Sequence, residues 1–325
     1  MTHHDRVYGD VEINEPVILE LLNCASMQRL KGVDQAGYME PYFPGSSHSR
    51  FEHSVGVYLL LRKYGASLEE QVAGLIHDVS HSAFSHTIDY VLAVGSEKEQ
   101  NHQDNAFSDF VKKLEIPEIL KKYQIDLDYI LDDHNFPLKE NNLPDICADR
   151  IDYSLRGALA YGEIESADYF LDNLIVQDKQ WIFKDFTSAK KYAELFNSIN
   201  AKYYAGLPSA MMFRTSGDCL RHAILQGYIS EADLYTTDAV VLGKIKSHLT
   251  EDAQLKLLFA RMSGETNIKN DPNNYDVRIF CKSRMVDPLC LTNEGIKRVS
   301  EVDSSWIKVI QEESRPKEYF LKFES

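Results

Sequence analysis

The chain has 325 residues, of which 44% are hydrophobic, 26% charged and 11% aromatic. This composition is typical of folded globular proteins and excludes disordered, collagen-like and disulfide-scaffold chains. Its 35 basic and 50 acidic residues give a net charge of −15, which argues against a nucleic-acid partner because the surface as a whole repels phosphate backbones. Any phosphate-binding site therefore needs local positive charge, from a metal ion or from Arg and Lys side chains inside a pocket.

The first half of the chain, from Asn14 to about Tyr169, has mainly helical periodicity. Asn14 is expected to cap a helix that begins at Pro16. Apolar residues recur at three- and four-residue spacing in 55–61, 68–78 and 107–113. Between these segments, residues 37–45 contain two glycines and two prolines, which predicts an irregular loop.

The second half is expected to contain strands as well as helices. The alternation of apolar and polar residues between Leu174 and Phe186 predicts a small hairpin, and residues 188–261 return to helical periodicity. After a polar linker at 263–275, Val277–Cys281 and Tyr319–Phe323 are predicted strands that flank a short helix.

The predicted fold is therefore mainly α. We expect three parts: residues 1–170 as the helical core, residues 171–262 as a hairpin with further helices that completes the helical domain, and residues 263–325 as a small C-terminal α/β lobe. No internal repeat is evident.

Histidines cluster in the first half, where six of the eleven lie within 55 residues: His48, His53, His77, His81, His86 and His102. In a helix, His77 and Asp78 would lie on adjoining faces, with His81 one turn further along. Burying these groups beside the apolar Leu75 and Ile76 is costly without partners, and a divalent cation would satisfy them. Nitrogen and oxygen donors suit Mn, Fe, Co, Ni, Zn or Mg, so the ligand types do not identify the ion.

A further ligand is expected close to Tyr153, where Asp145, Asp149 and Asp152 precede a helix that runs to Ala160. The spacing alone does not choose among the three aspartates. Four histidines, taken singly, are expected to be hydrogen-bonded core residues: His48, His134, His222 and His248.

These residue types suit phosphoryl transfer. A divalent ion lowers the pKa of water and polarises a phosphoryl oxygen, so that water attacks phosphorus. Imidazoles, with an ordinary pKa of ~6.5, can protonate a leaving oxygen near pH 7. Arg50 and Arg150 offer fork-shaped donors for the charge on the equatorial oxygens, although a surface ion pair is the alternative for either arginine.

Three sequence words carry a family resemblance: Phe43-Pro-Gly-Ser-Ser-His-Ser-Arg-Phe-Glu-His-Ser-Val-Gly-Val57, His77-Asp-Val-Ser-His-Ser-Ala-Phe-Ser-His86 and Asp149-Arg-Ile-Asp-Tyr153. In this order they resemble the HD-domain metal-dependent phosphohydrolases, in the branch of the deoxynucleoside triphosphate triphosphohydrolases that includes the sterile-alpha-motif-and-HD enzymes. The resemblance covers residues 6–162 closely and continues more faintly to the end. It implies a helical HD-domain core, one divalent metal ion and a homo-oligomer. The implied substrate is a phosphorylated small molecule, most simply a (deoxy)nucleoside triphosphate cleaved to nucleoside and triphosphate.

The resemblance also implies roles for individual residues. The implied metal ligands are His53, His77, Asp78 and Asp149. Asp149 is selected because it stands four residues before the tyrosine of the third word, which leaves Asp152 a structural role. The implied catalytic residues are His81, His86, His102 and Asp89, the last orienting one of the histidines. The implied substrate-binding residues are Arg50, Arg150, Tyr153 and Gln35.

The chain departs from the family pattern at the sugar site. Gly157 stands where the triphosphohydrolases carry an acidic residue, and Ser216 and Ile224 stand where they carry an arginine and an aromatic residue. Other functions therefore stay open. One is hydrolysis of another phosphoester, such as a nucleoside monophosphate or a cyclic nucleotide. A second is a two-metal oxygenase in which His81 and His86 bind a second ion, and a third is a non-catalytic metal- or nucleotide-binding protein.

Two further expectations concern location and redox state. No uncharged apolar stretch reaches the ~18 residues that a membrane span requires, and the first residues contain no apolar core of a signal peptide. We therefore expect a soluble, cytoplasmic protein without a membrane partner. The five cysteines form no Cys-x-x-Cys pair, which favours reduced thiols over disulfides or a zinc site; they are Cys24, Cys147, Cys219, Cys281 and Cys290.

Overall fold

The computed structural model describes residues 1–92, 96, 98–100 and 102–324. Its helices are α1 Pro16–Asn23, α2 Ala25–Arg29, α3 Arg50–Lys63, α4 Leu68–Ile76, α5 His102–Val111, α6 Ile116–Lys122, α7 Leu127–Leu131, α8 Ala148–Ala160, α9 Asp168–Asp172, α10 Phe186–Ile199, α11 Leu207–Leu225, α12 Asp238–Ser247, α13 Ala253–Met262, α14 Val299–Val302 and α15 Ser305–Glu313. Its strands are β1 Thr2–Asp5, β2 Gly9–Glu12, β3 Leu174–Gln177, β4 Gln180–Phe183, β5 Ile268–Asn270, β6 Val277–Cys281, β7 Leu289–Thr292, β8 Gly295–Arg298 and β9 Lys317–Phe323. The fold is mainly helical with small sheets, as predicted.

The strands form three sheets. β1 and β2 make an antiparallel hairpin, and β9 lies between β5 and β6 in a three-stranded antiparallel sheet. The third sheet has the order β3-β4-β7-β8, in which β4 and β7 are parallel. The predicted hairpin (β3–β4) and the predicted strands at 277–281 and 319–323 are confirmed. Because β4 pairs with β7, the third sheet crosses the predicted boundary at residue 262; the three-part division stays a prediction.

Two local predictions are wrong. The N-cap of α1 is Glu15 rather than Asn14, and it makes no side-chain cap hydrogen bond. Helix α4 ends at Ile76, so His77, Asp78 and His81 do not share a helix. The backbone N–H of His81 instead donates to the carbonyl oxygen of Asp78 at 3.0 Å, as in a turn. Aspartate and serine, which follow His77, compete with helical hydrogen bonds and favour such turns.

Helix α3 lies at the centre of the fold. One flank, with Val57, Leu60 and Leu61, packs in one apolar core, while Val55 and Tyr58 pack in another. A helix that is apolar on several sides is expected to be buried. A capping box fixes its amino terminus, with the Ser49 and Glu52 side chains each accepting from the other's backbone N–H. This cap places Arg50 and His53 on the first turns of α3.

A buried ionic network joins α8 to the amino-terminal hairpin. Arg156 is fully buried; its Nε donates to Asp152 Oδ2 at 2.9 Å and its Nη2 to Asp5 Oδ2 at 3.0 Å. Tyr8 Oη donates to Asp152 Oδ1 at 2.9 Å. Gly56 of α3 lies against this network, where a Cβ atom would be 2.1 Å from both Arg156 Nη2 and Asp152 Oδ1. Only glycine permits this approach of α3 to α8.

The substitution Gly56→Ala should therefore destabilise the protein by about 2–4 kcal/mol, because the methyl group must displace a buried ion pair. Gly243→Ala in α12 is the matched control, since no atom lies within 4 Å of its added Cβ. That helical, exposed position should gain about 0.5–1 kcal/mol. Chemical denaturation of both variants measures the difference, and equal midpoints would contradict the close-contact argument.

The isolated histidines have different environments. His48 is buried, with Nδ1 3.3 Å from the Ser46 carbonyl oxygen. His222 pairs with Asp252 at 2.7 Å, and His248 stacks on Tyr228 with ring centroids 4.1 Å apart. The prediction of a core position is wrong for His134, whose side chain is 97% exposed beside Asp132, because its short 3₁₀ turn contributes no residue to the core.

His48 makes stability depend on pH. Burial, with a smaller effect of Arg156, lowers the pKa of His48 to about 4, whereas an unfolded histidine has an ordinary pKa of ~6.5. The folded state thus keeps this imidazole neutral. Its contribution is complete above pH ~6.5 and is lost as the pH falls towards 4, because only the unfolded state takes up the proton there.

We expect this loss to reach about 2–3 kcal/mol. In His48→Gln the decrease in the free energy of unfolding between pH 7 and pH 4.5 should be smaller by most of that amount. His134→Gln, which removes an exposed imidazole, should keep the wild-type pH dependence. Denaturation curves at several pH values test the prediction, and identical slopes for His48→Gln and the wild type would refute it.

Among the described residues, no helix combines the length and the apolar character that crossing a membrane requires. All five cysteines are buried.

Candidate metal centre and substrate cavity

Two histidines present their Nε2 atoms to one point. His53, on α3, is fully buried, and its Nδ1 lies 2.8 Å from Asp152 Oδ2. His77, at the end of α4, has its Nδ1 2.8 Å from the carbonyl oxygen of Gly74. Each oxygen is an acceptor and therefore places the imidazole proton on Nδ1. The lone pairs of both Nε2 atoms, 3.2 Å apart, then face each other.

Two carboxylates approach the same point. Asp149 Oδ1, from the first turn of α8, lies 2.9 Å from His53 Nε2 and 3.5 Å from His77 Nε2. Asp78 uses a different oxygen towards each imidazole, with Oδ2 3.7 Å from His53 Nε2 and Oδ1 3.4 Å from His77 Nε2. The structure thus brings together all four predicted ligands, from α3, the turn after α4, and α8.

The electrostatics of this cluster favour charged carboxylates. Burial alone would raise the pKa of Asp149 and of Asp78, but His53 and His77 hold the first well below its usual range and Arg50 and His77 hold the second there. Burial alone would lower the pKa of His53; Asp149, Asp152 and Asp78 outweigh it and raise that pKa to about 9. The cluster therefore attracts a positive charge, either a proton or a cation.

The donor set fits a metal ion. Ligands bonded at about 2.1 Å on neighbouring positions of an octahedral or tetrahedral ion lie about 3.0–3.4 Å apart, and the contacts of His53 with His77 and Asp149 lie in or close to this range. Two unprotonated Nε2 lone pairs so close together repel unless a proton or a metal ion lies between them. His53, His77 and Asp149, with Asp78 beside them, are the residues that would hold it.

A second acidic cluster does not offer an equivalent cation site. Glu140, Cys147 and Asp149 have ligand atoms close to one another, but Arg150 already supplies the positive charge there. Its Nη2 lies 3.0 Å from Glu140 Oε1, and its Nη1 donates to Cys147 Sγ at 2.9 Å and to the Asn141 carbonyl oxygen. Arg150, predicted to contact phosphate, thus lines the cavity with its guanidinium engaged by the protein.

Arg50 lies between the metal cluster and the cavity. Its Nη1 donates to Asp78 Oδ2 at 2.7 Å and its Nε to Ser85 Oγ at 3.0 Å. Its Nη2 is buried and has no hydrogen-bond partner. A buried charged donor without a partner is costly, so this atom is suited to a ligand oxygen.

His81 and His86 form the neighbouring wall. His81 Nε2 lies 3.2 Å from Asp78 Oδ1, and the two rings meet edge to face with centroids 5.3 Å apart. The Nδ1 atoms of both are buried without a partner. Burial and then Arg50 lower the pKa of His81 to about 4 and that of His86 well below its ordinary value. Both imidazoles are therefore neutral near pH 7.

The remaining two predicted catalytic residues lie apart from this wall. His102 Nε2 is 3.3 Å from Tyr235 Oη, and its ring is not among those that line the cavity. Asp89 Oδ1 accepts from the backbone N–H of His102 at 3.2 Å and orients neither His81 nor His86. The turn Ser85–Tyr90 directs Asp89 towards His102, the first residue of α5, and the catalytic roles of these two residues stay predictions.

The cluster opens into a cavity of about 430 Å³, a size within the ordinary range for small-molecule sites. Gln35 and Tyr153 line it as predicted, and Gln35 Oε1 and Tyr153 Oη have no partner. The sequence reasoning missed other lining residues: Lys139, Tyr161, Tyr203, Tyr204, Lys282 and Arg284. Lys139 and Tyr161 lie on either side of the third sequence word, the other four come from segments further along the chain, and no motif marks any of them.

Comparisons with known proteins agree with this geometry. Residues 50–157 match the HD domain family. The chain is 33% identical over 307 residues to the uncharacterized protein YdhJ of Bacillus subtilis, covering 94% of this chain and 90% of YdhJ. It is 39% identical over 164 residues to the metal-dependent phosphohydrolase cns2 of Cordyceps militaris, covering 50% of this chain and 47% of cns2. It is also 32% identical over 140 residues to the mouse deoxynucleoside triphosphate triphosphohydrolase SAMHD1, covering 37% of this chain and 21% of SAMHD1.

The fold has solved counterparts. A phosphohydrolase from Bacteroides thetaiotaomicron superposes with a TM-score of 0.75 at 17% identity, and the match covers the whole of both chains. At that identity the likeness concerns the fold alone. The matched HD segment, 50–157, contains all four residues that converge at the candidate metal centre, and the match to YdhJ extends over nearly the whole chain. The chain belongs to the HD-domain superfamily of metal-dependent phosphohydrolases.

Proposed function

We propose that the substrate is a nucleotide, most simply a (deoxy)nucleoside triphosphate that is cleaved to nucleoside and triphosphate. The observation that carries the proposal is the position of Arg50, which pairs with Asp78 through one nitrogen and keeps Nη2 unpartnered beside the cavity. A phosphoryl oxygen bound there would lie next to His53, His77 and Asp149. The likeness to SAMHD1 supports the same substrate class.

Different residues would perform different parts of the reaction. A divalent ion held by His53, His77, Asp78 and Asp149 would polarise a phosphoryl oxygen and lower the pKa of water. Arg50 holds the phosphoryl group by a charge-assisted hydrogen bond and offsets charge on its equatorial oxygens. His81 and His86, which are neutral in the free protein, offer unpartnered Nδ1 atoms. The negative charge of a bound phosphate would raise their pKa and let one of them donate a proton to the leaving oxygen.

Aromatic walls suit the nucleoside part. Tyr153 lies at the mouth of the metal centre, with its ring centroid 6.4 Å from that of His53. Tyr161 and Tyr203 stack in parallel, 3.8 Å apart, and Tyr204 meets Tyr153 edge to face. Flat aromatic surfaces of this kind bind bases and sugars by dispersion and stacking.

Hydrolysis of another phosphoester is the second candidate, and Gly157 favours it. A Cβ atom at this position would lie 2.7 Å from Tyr204 Oη, so the side chain of Tyr204 fills the space in which an acidic residue could hold a sugar hydroxyl. The sugar contact therefore differs from the pattern of the triphosphohydrolases, and the substrate panel below includes monophosphates and cyclic nucleotides.

Replacing His77 by alanine should remove both the ion and turnover. We expect bound metal to fall below half an equivalent and the hydrolysis rate to fall at least about 100-fold, because an entire ligand is lost rather than a supporting contact. Elemental analysis, phosphate or triphosphate release, and circular dichroism measure metal, activity and folding. His134→Ala, at an exposed position, is the control. Unchanged turnover in folded His77→Ala would exclude the proposed metal centre.

A panel of phosphorylated metabolites tests the substrate. Nucleoside triphosphates, monophosphates and cyclic nucleotides are assayed with manganese, cobalt, iron and magnesium in turn, with product identity read by ³¹P NMR. We expect inorganic triphosphate and nucleoside as products, with one ion per chain. Orthophosphate from a monophosphate alone would favour the second candidate. Two ions with oxygen consumption would favour an oxygenase, and binding without turnover would favour a non-catalytic protein.

A further inference from the structure

The cavity has a second cationic wall, more than 120 residues along the chain from the last metal-ligand candidate. Between β6 and β7 the segment from Cys281 to Met285 alternates buried and half-buried residues. In an extended segment successive side chains point to opposite sides. Lys282 and Arg284 therefore point to the same side, and both line the cavity.

A fully buried asparagine fixes this segment against the helical body. Asn200 Oδ1 accepts from the backbone N–H of Arg284 at 3.0 Å, and its Nδ2 donates to Ser283 Oγ at 2.8 Å. Asn200 begins the π-helical turn Asn200–Tyr204, whose Tyr203 and Tyr204 also line the cavity. Such turns occur frequently at functional sites. One irregular turn thus positions both an arginine and two aromatic rings.

Arg284, unlike the nearest arginines before and after it in the sequence, has no carboxylate partner among the described residues. Arg278 pairs with Glu318, and Arg298 pairs with Asp145. In the part of the chain that the structure describes, no carboxylate lies within ion-pair distance of the half-buried Arg284. Lys282 donates to the backbone carbonyl oxygen of Glu99. In a chain of net charge −15, an uncompensated guanidinium inside a cavity indicates an anionic ligand.

Cations converge on this side of the cavity. After burial itself, the charges that lower the pKa of His86 come from Arg50, His81, Arg284 and Lys282. Arg50 and Arg284 both line the cavity that contains this imidazole, and both influence its pKa. Arg50 pairs with Asp78 of the metal cluster, whereas Arg284 belongs to the C-terminal segment. An anion that extends between them would compensate both.

We propose that Arg284 binds the phosphate chain of the substrate, so that the cavity holds two or more linked phosphoryl groups between Arg50 and Arg284. A monophosphate needs only the metal ligands and Arg50, whereas a longer phosphate chain carries the additional negative charge that Arg284 offsets. This inference rests on the proposed function and narrows it to polyphosphate esters. It also makes the C-terminal segment part of the substrate site.

The probe is inorganic triphosphate, titrated calorimetrically into the full-length protein loaded with manganese. Arg284→Gln should weaken triphosphate binding about 10- to 100-fold, which is the effect of one charge-assisted hydrogen bond, and should hardly change the binding of orthophosphate. Arg284→Lys should lie between Arg284→Gln and the wild type. Arg278→Gln, an ion-paired and more exposed arginine of the same lobe, is the matched control and should bind as the wild type does.

Three results would overturn the inference. The first is a wild-type triphosphate affinity in folded Arg284→Gln, and the second is no triphosphate binding by the wild type. The third is an equal loss of triphosphate and orthophosphate binding, which would assign Arg284 a general structural effect. Circular dichroism checks the fold, and Arg284→Lys keeps the test valid should the glutamine variant unfold.

Turnover separates this inference from the proposed function. With a nucleoside triphosphate as substrate, Arg284→Gln should raise KM by a factor similar to its loss of triphosphate affinity and change kcat less. Hydrolysis with an unchanged KM and unchanged triphosphate affinity would overturn the inference and leave the function intact. Triphosphate binding that depends on Arg284 in a protein without hydrolytic activity would support the inference and contradict the proposed function.

Discussion

Compensation of buried negative charge is the constraint on which the site depends. Four carboxylates lie in one connected network: Asp5, Asp78, Asp149 and Asp152. Two guanidiniums, those of Arg50 and Arg156, pair with three of them, which leaves two negative charges uncompensated. Each buried, unpaired charge costs several kcal/mol. A divalent ion at the two Nε2 atoms would balance the network. Without an ion, the carboxylates raise the pKa of His53 to about 9 and so favour a proton at this place.

The same network explains why the amino-terminal hairpin contributes to the site. Asp5 holds Arg156, Arg156 and Tyr8 hold Asp152, and Asp152 accepts from Nδ1–H of His53. Each contact restrains the next residue in this series, so Asp5 helps to fix the orientation of His53 in which Nε2 would face an ion. Supporting contacts of this kind commonly decide metal affinity. Gly56 allows α3 to approach this network closely, since any larger residue would separate Asp152 and Arg156 from the helix that carries His53.

How far the sequence predicts this structure depends on the range of the interaction. The hairpin at Leu174–Phe183 could be predicted because alternation of apolar and polar residues is a local signal. The grouping of His53, His77 and Asp149 followed from the family resemblance, since spacing alone did not choose among the three aspartates. The path of the chain at His77–His81 could not be predicted in this way. Periodicity predicts that the helix continues, whereas the structure has a turn there, in which Asp78 contacts Arg50, 28 residues away. Arg150 has a guanidinium that could bind phosphate, as predicted, but Glu140 and the backbone carbonyl oxygen of Asn141 already bind it. The position of Arg284 is still harder to predict from the sequence. It depends on Asn200, 84 residues earlier, which lies in a π-helical turn that has no sequence signature.

The contrast between the whole chain and the cavity bears on how a phosphorylated ligand binds. A net charge of −15 repels an anion at long range, but such repulsion between exposed charges is screened beyond about 8–10 Å at physiological salt. Inside the cavity, Arg50 and the candidate metal ligands are largely shielded from solvent, so their attraction is screened far less. Electrostatic steering therefore contributes little to the rate of association, and the affinity must come from short-range contacts that slow dissociation. The cations proposed to contact the ligand are for this reason few and individually positioned by the polypeptide. The cap at Ser49 positions Arg50, and the hydrogen bonds of Asn200 position Arg284.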